Sequence, residues 1–375
     1  MNSNPRQERV NLILSALNSL TVEEFLKVAQ VEGLKPSRGK WRGRCPIHGG
    51  DSKAFTVYQK SSGTFYNCPT SCGSGNNVKL FAKLNNLDTK GRDFITAINL
   101  IAQRMGIPGV EGGELTEAQK AAIEKRKAEA EERRKERLEQ EQEEERLTNA
   151  VLLALMARLD VSEAVVSYLH GRGLVENSEQ ARAVGVRSWD PVAVSGLLGQ
   201  FSTEELRTVF GKGEELMKQF NPRPLLMFAF AGEQCVGVQC RSIDPQCEKV
   251  WRYNSRGKVA LGFFGGEQLS LNVTAPVVIV EGMTDTVIGR RLPEFASEWF
   301  DGETPIIVGK PGSGTINRRC ARLLQGRDVA LVFDGDKAGV KGVQTSAQVL
   351  TEYAKRVRHI NLDGDLAEAL AKVLS

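Results

Sequence analysis

Pro276-Val277-Val278-Ile279-Val280-Glu281-Gly282-Met283-Thr284-Asp285 decides how the C-terminal third of this chain folds. Pro276–Val280 is short, apolar and β-branched, which suits a strand buried on both faces. Thr284–Leu292 then reads as a helix. The same alternation continues outward, with strands at Pro305–Val308, Asp328–Phe333 and Arg358–Asn361. Helices are expected at Asn317–Leu324, Ala338–Lys355 and Leu366–Leu374. Strands alternating with helices predict a parallel sheet flanked by helices, with ligands beyond the carboxyl ends of its strands.

Both acidic groups of this region fall at such ends. Glu281 closes the first strand, with Asp285 four residues on, and Asp334-Gly335-Asp336 closes the third. Asp334 and Asp336 are two apart, so an extended backbone aims both side chains the same way. Acidic residues beside turns also serve as ordinary helix caps. Two such groups at the ends of two strands of one sheet favour a site instead. Carboxylates gathered in one crevice repel each other unless a cation lies between them, and hard oxygens suit Mg²⁺ or Mn²⁺. Gly309-Lys310-Pro311-Gly312-Ser313-Gly314-Thr315 has the glycine spacing of a phosphate-cradling loop, but Thr315 stands where that motif needs lysine.

A second group lies near the N-terminus. Cys45-Pro46-Ile47-His48 is followed by Cys68 and Cys72, two close pairs separated by a hairpin's length of chain. Three thiolates and an imidazole at this spacing point to a structural zinc site. Strands are expected at Ala54–Tyr58 and Gly63–Asn67 between the pairs. Lys40, Trp41, Arg42, Arg44, Lys53, Tyr58, Lys60, Phe65 and Tyr66 mix cations with aromatics, which suits single-stranded nucleic acid. Phe55 and Phe65 are expected to fill the small core instead. Cys235, Cys240, Cys247 and Cys320 have no ligand spacing and read as ordinary thiols.

The 375 residues divide by composition into four segments. Residues 1–110 hold 15 Lys and Arg against 7 Asp and Glu, a basic head on a chain of net charge +4. Such a head suits a polyanionic partner. Residues 111–147 are rich in Glu, Lys, Arg, Gln and Ala, with high helix propensity and no sustained apolar stripe, and read as a solvated helical linker. Residues 148–275 carry no motif that chemistry alone would flag, and 276–375 form the strand–helix unit. No apolar run is long enough to span a membrane and no signal peptide is visible, so a cytoplasmic protein is expected.

Val280–Asp285 and Phe333–Gly339 resemble the two motifs of the Toprim fold, shared by bacterial-type primases, topoisomerases and some nucleases. The resemblance implies that Glu281 is a general acid/base or metal ligand and that Asp334 and Asp336 hold magnesium or manganese. Asp285 belongs to the motif with a less defined role, and Asp365, after the last strand, is a weaker candidate. The Cys-Pro-x-His entry, Phe55-Thr56-Val57 and Phe65-Tyr66-Asn67-Cys68 resemble the zinc ribbon that opens DnaG-type primases. Three residues separate Cys68 from Cys72 where that family has two, which gives Ser71 or a neighbour a possible role. Tyr168–Leu174, Gly185-Val186, Trp189-Asp190, Leu225–Phe230, Gly237–Arg241 and Arg252–Ser255 resemble the primase polymerase domain. There Arg241, Arg252, Tyr253 and Arg172 would bind nucleotide and template, with Arg252 in place of the usual lysine. Arg223 is offset from the pattern.

The fold implied is an α/β Toprim sheet preceded by a mixed α/β polymerase subdomain and a zinc ribbon. The function implied is a DNA primase making short RNA primers, with single-stranded DNA template, ribonucleoside triphosphates and a replicative helicase as partners. The chain ends soon after the Toprim unit, without the family's further helicase-engaging domain, which points to a phage or mobile-element version. Two alternatives stand beside it: a Toprim nuclease, and a non-catalytic zinc-dependent factor that binds single-stranded nucleic acid.

Overall fold

The computed structural model describes residues 5–37, 39–60, 62–197, 199–211, 223–244, 246, 252–253, 260–312, 314–361, 366 and 370. It divides into two compact units, Met1–Gln140 and Glu141–Ser375, taken in turn below.

The first unit is built on a five-stranded antiparallel meander, β1 (Lys35–Ser37), β2 (Lys40–Gly43), β3 (Phe55–Lys60), β4 (Gly63–Cys68) and β5 (Gly73–Asn76). Period-two alternation gives the sheet an inner and an outer face. Phe55, Val57 and Tyr66 point inward and are buried, while Tyr58 and Phe65 pair across β3 and β4 on the outer face. Phe55 thus fills the core as expected. Phe65 does not: the register turns it outward and places Tyr66 inside, because one step along a strand reverses the face. Four helices complete the core: α1 (Pro5–Asn18), α2 (Val22–Ala29), α3 (Asn77–Leu84) and α4 (Gly91–Arg104). On α1, Val10, Ile13, Ala16 and Leu17 recur at helical spacing and are buried. Thr21 and Glu24 form a reciprocal capping box that starts α2.

The charged run forms one continuous helix, α5 (Glu117–Arg158). Its first part is not a solvated linker. Ile123 is 4% exposed and joins the first unit's core with Leu115, and Arg133 donates to the Ser19 carbonyl at 3.2 Å. Few apolar residues are needed on this face because the long stems of Lys127 and Arg137 also cover it, as their partial burial shows. Farther along, Val151, Leu152, Leu155 and Leu159 are buried in the second unit against Leu226, Phe228, Val238 and Cys240.

The second unit is a mixed sheet. Its strands are β6 (Val186–Ser188), β7 (Leu225–Ala231), β8 (Gln234–Arg241), β9 (Arg252–Tyr253), β10 (Phe263–Phe264), β11 (Val277–Glu281), β12 (Ile306–Lys310), β13 (Asp328–Val332) and β14 (Arg356–His359). They lie in the order β14-β13-β11-β12-β10-β7-β8-β9, with β6 on β7. The four strands β14, β13, β11 and β12 are parallel, and β10 joins them antiparallel to the β7–β8 hairpin. Val278 and Val280 pack with Met283, Val287 and Ile288 of the helix Gly282–Arg291 on one face. Val277 and Ile279 pack with Cys320, Ala321, Val343 and Leu350 of the helices Arg318–Arg322 and Lys337–Leu350 on the other. Burial on both faces accounts for the unbroken Val-Val-Ile-Val run. Of the helix expected at the C-terminus, only Leu366 and Leu370 are among the described residues, and both are helical and buried. Among the described residues, no helix is long and apolar enough to cross a membrane.

Ile123→Ala should lower the stability of the first unit by about 2 kcal/mol or more. Hydrogen exchange across residues 117–137 checks this: protection should fall there, and unchanged protection would return this stretch to a solvated linker.

Candidate metal centre and carboxylate site

The β2–β3 turn and the β4–β5 turn bring the four N-terminal ligands together. The ligand atoms of Cys45, His48, Cys68 and Cys72 all lie within 4.8 Å of one another. Cys45 Sγ is 3.8 Å from Cys72 Sγ, and His48 Nδ1 lies 3.1 Å from Cys72 Sγ and 3.8 Å from Cys68 Sγ. Nδ1 is therefore the imidazole atom that faces the cluster. On the far side of the ring, Nε2 meets the Thr70 hydroxyl at 3.2 Å, and the same hydroxyl lies 3.2 Å from Cys68 Sγ. The widened spacing between Cys68 and Cys72 puts Thr70 in this role, whereas the Ser71 hydroxyl lies 3.8 Å from Cys72 Sγ. Burial pushes the Cys68 thiol up, but hydrogen bonds from Thr70 and the backbone of Ser71, Cys72 and Thr70 outweigh it and bring it to about 6. Burial carries the Cys45 thiol the other way, to about 11. Three sulfurs and one nitrogen at this separation are the donor set of a tetrahedral zinc site.

The second site lies at the carboxyl ends of β11, β12 and β13. Glu281 and Lys310 are register partners on adjacent parallel strands, so their side chains leave the same face. Burial holds the Glu281 carboxyl up, at about 6, and the nearby charges of Asp334 and Asp336 add to this. Lys310 and the Asp334 backbone N–H, which donates to the carboxylate, act in the opposite direction. Glu281 Oε2 is buried with no hydrogen-bond partner. Lys310 is 7% exposed, donates to the Gly312 carbonyl and stands 5.8 Å from the centre of the Phe333 ring. Burial draws its ammonium down to about 8, against the pull of Glu281.

Asp336 has a second role. Its Oδ1 accepts from Gly339 N at 2.7 Å and caps the helix Lys337–Leu350. The capping reading of this residue thus applies, and its charge also acts on Glu281. Gly339 passes so close to Asp334 that a Cβ there would lie 2.1 Å from the Asp334 carbonyl oxygen. Asp285 is 4% exposed in the first turn of the helix Gly282–Arg291. Among the described residues, the Cys/His group is the one set of three or more ligand side chains drawn this tightly together. Glu281, Asp334 and Asp336 feel one another's charge but do not form a comparable cage. Like-charge repulsion and the cap made by Asp336 both oppose closer approach. The buried, partnerless Glu281 Oε2 is a ready ligand for a divalent ion, and the hard oxygen donors suit magnesium.

The remaining candidates lie apart from these carboxylates. Arg241 is 5% exposed at the end of β8, opposite Leu225 and four strands from β11. At ~4.8 Å per strand this sets it on the order of 20 Å from Glu281. Arg252 and Tyr253 form β9 beyond it; their side chains lie outside the described residues. Arg172 is exposed, with its guanidinium 3.0 Å from the Tyr168 hydroxyl. Its neighbour Gly173 accepts from Arg291, at the opposite end of the helix Gly282–Arg291 from Glu281. Asp365, Cys247 and Ser313 lie outside the described residues. Lys310 is the residue that sequence reasoning missed. Its signal was a lone lysine closing an otherwise apolar strand end, Ile306-Ile307-Val308-Gly309.

No family model matches the chain, and no curated protein matches its sequence. Solved structures do. The zinc-binding and RNA polymerase domains of the Aquifex aeolicus primase align over 99% of this chain and 83% of theirs, with 14% identity and a TM-score of 0.43. The RNA polymerase domain of Mycobacterium tuberculosis primase DnaG aligns over 61% of this chain and 82% of its own, with 20% identity and a TM-score of 0.40. Primase domains in a bacteriophage T7 lagging-strand polymerase complex, bound to an RNA/DNA hybrid and dTTP, align over 54% of this chain and 84% of theirs, with 19% identity and a TM-score of 0.32. All three are primases.

Thr70→Val should weaken zinc binding by about tenfold or more, since it removes the hydroxyl that orients His48. Competition with a chromogenic chelator measures this, and unchanged affinity would deny Thr70 that role. Glu281 has a carboxyl raised from 4.5 to about 6 in the fold, so the folded chain holds its proton more tightly than the unfolded chain. The stability this supplies is complete below pH 4.5 and is lost as the pH rises through 6. Glu281→Gln stays neutral throughout. It should match the parent near pH 4 and melt about 2–4 °C higher above pH 6, a gap on the order of 1 kcal/mol. Equal melting temperatures at pH 8 would mean that Glu281 is not held against its charge.

Proposed function

We propose that this chain is a primase-type nucleotidyltransferase that joins ribonucleotides on a single-stranded DNA template. The observation that carries this is the coupling of Glu281 to Asp334 and Asp336 across two adjacent parallel strand ends, with one buried carboxylate oxygen left without a partner. The motif resemblance and the Cys₃His cluster support the same reading.

Glu281, Asp334 and Asp336 would hold magnesium or manganese, which supplies the positive charge that in-line displacement at phosphorus requires. Glu281, at the end of the neighbouring strand, would either ligate the metal or take the proton of the attacking 3′-hydroxyl as the new P–O bond forms and pyrophosphate leaves. Lys310 sets a positive charge beside the carboxylates and lies at the root of the glycine-rich loop Gly309–Thr315, where a phosphate can approach the backbone. By resemblance, Arg241, Arg252, Tyr253 and Arg172 bind triphosphate and template. Their placement on remote strands and turns suits a template path more than contact with the reacting phosphorus. The zinc ribbon would grip template, and a helicase would be a further partner.

Incubation with single-stranded DNA, four ribonucleoside triphosphates and Mg²⁺ should yield short RNA. Asp334→Ala and Asp336→Ala should each lower the yield by about 10²-fold or more, as expected when a metal-held charge is removed from the transition state. Shortened DNA in place of new RNA would convert the reading to a nuclease. Full synthesis by both variants would overturn the mechanism.

A further inference from the structure

We infer that a basic cleft in the first unit, unused by the chemistry above, binds the phosphodiester backbone of a single-stranded nucleic acid leaving the aromatic face of the ribbon. The cleft holds about 500 Å³ and is walled by the end of α1, the start of α2, the end of β3 and one face of α5. Five cations line it, Lys60, Lys127, Arg133, Arg134 and Arg137, against the single carboxylate of Glu131. Arg133 is engaged by the Ser19 carbonyl and lies 3.9 Å from Glu129, and Lys127 pairs with Glu124 at 2.8 Å. Lys60 and Arg134 are exposed and have no salt-bridge partner among the described residues. The start of α2 does not itself offer an anion site, because Glu24 already accepts from the Thr21 N–H and hydroxyl.

Lys60 connects the cleft to a stacking surface. Its ammonium lies 5.6 Å from the Tyr58 ring centre and 4.8 Å from that of Phe65. The two rings are stacked at 6.4 Å on the outer face of the sheet, and Lys40 stands 5.3 Å from Tyr58 on the other side. Half-buried rings flanked by cations on an outer sheet face take bases by stacking. A strand whose bases lie on Tyr58 and Phe65 is led past Lys60 to Lys127 and Arg134. This continuity favours a polymer over a free phosphate, for which the aromatic platform would be idle. The charged face of α5 then has a ligand, and the helix is a wall of the nucleic-acid site.

The inference takes its class of ligand from the proposed function but none of its chemistry. Binding of a fluorescent 20-nucleotide single strand to the full chain is therefore measured by anisotropy without divalent ions or nucleotides, so that failure of synthesis leaves it standing. Lys60→Glu/Arg134→Glu should weaken binding about tenfold or more at low salt and reduce the slope of log Kd on log[salt] by about 1.4, two phosphate contacts at ~0.7 each. Lys125→Glu/Lys135→Glu makes the same change in net charge outside the cleft and should cost less than about threefold. Lys60→Gln/Arg134→Gln is the neutral counterpart should the reversed charges disturb folding, and is expected to weaken binding about fivefold. Tyr58→Ala should weaken the same complex. Equal losses from both charge-reversed pairs, or no loss from the cleft pair, overturn the site. So does ATP that binds through Lys60 and Arg134 while the oligonucleotide is unaffected by their replacement, since the cleft would then serve free phosphates.

Discussion

Holding Glu281 within the field of Asp334 and Asp336, half out of water, is the constraint on which the function proposed for the second unit depends. Bringing like charges together costs energy, and a sheet can meet that cost only where its core is strong. Here the apolar strands β11 and β13 lie side by side, buried on both faces, and deliver their carboxylates to one edge. The same edge carries partial compensation in Lys310 and in the backbone N–H of Asp334. The rest of the local design follows from the need to pack closely there. Asp336 caps the helix that seats it, and Gly339 lets that helix approach the Asp334 backbone.

The first unit meets a different problem. A small five-stranded meander with short strands has little core of its own. Helices α1 to α4 and the first part of α5 enlarge it, and the Cys/His cluster ties its two turns together. Thr70 bridges a thiol and an imidazole in that cluster, so the residue inserted between Cys68 and Cys72 is absorbed into the second layer around the ligands.

Much of this was legible along the chain, because its signals are local. The run of β-branched residues before Glu281, the pairs Cys45/His48 and Cys68/Cys72, and the glycines after the acidic residues each report a backbone requirement within a few positions. What was not legible came from faces and neighbours. Phe65 and Tyr66 exchange their expected places because the strand register, not hydrophobicity, decides which of two adjacent rings is buried. The charged helix gave no apolar stripe, yet one of its faces packs through Ile123 and the stems of long cations, which hydropathy counts as polar. The glycine spacing around Lys310 suggests a loop, and only the pairing of β11 with β12 sets it beside Glu281.

By itself, the sequence determined where strands and helices alternate, which residues are able to ligate a metal, and that the acidic groups stand at strand ends. These depend on side-chain type and on spacing over a turn or two. Tertiary structure alone decided that β13 lies beside β11 while β8 lies four strands away. It therefore decided that Asp334 shares a field with Glu281 and that Arg241 stands on a strand remote from it. Strand order is set by the packing of helices on both faces of the sheet, a long-range balance that no local pattern encodes.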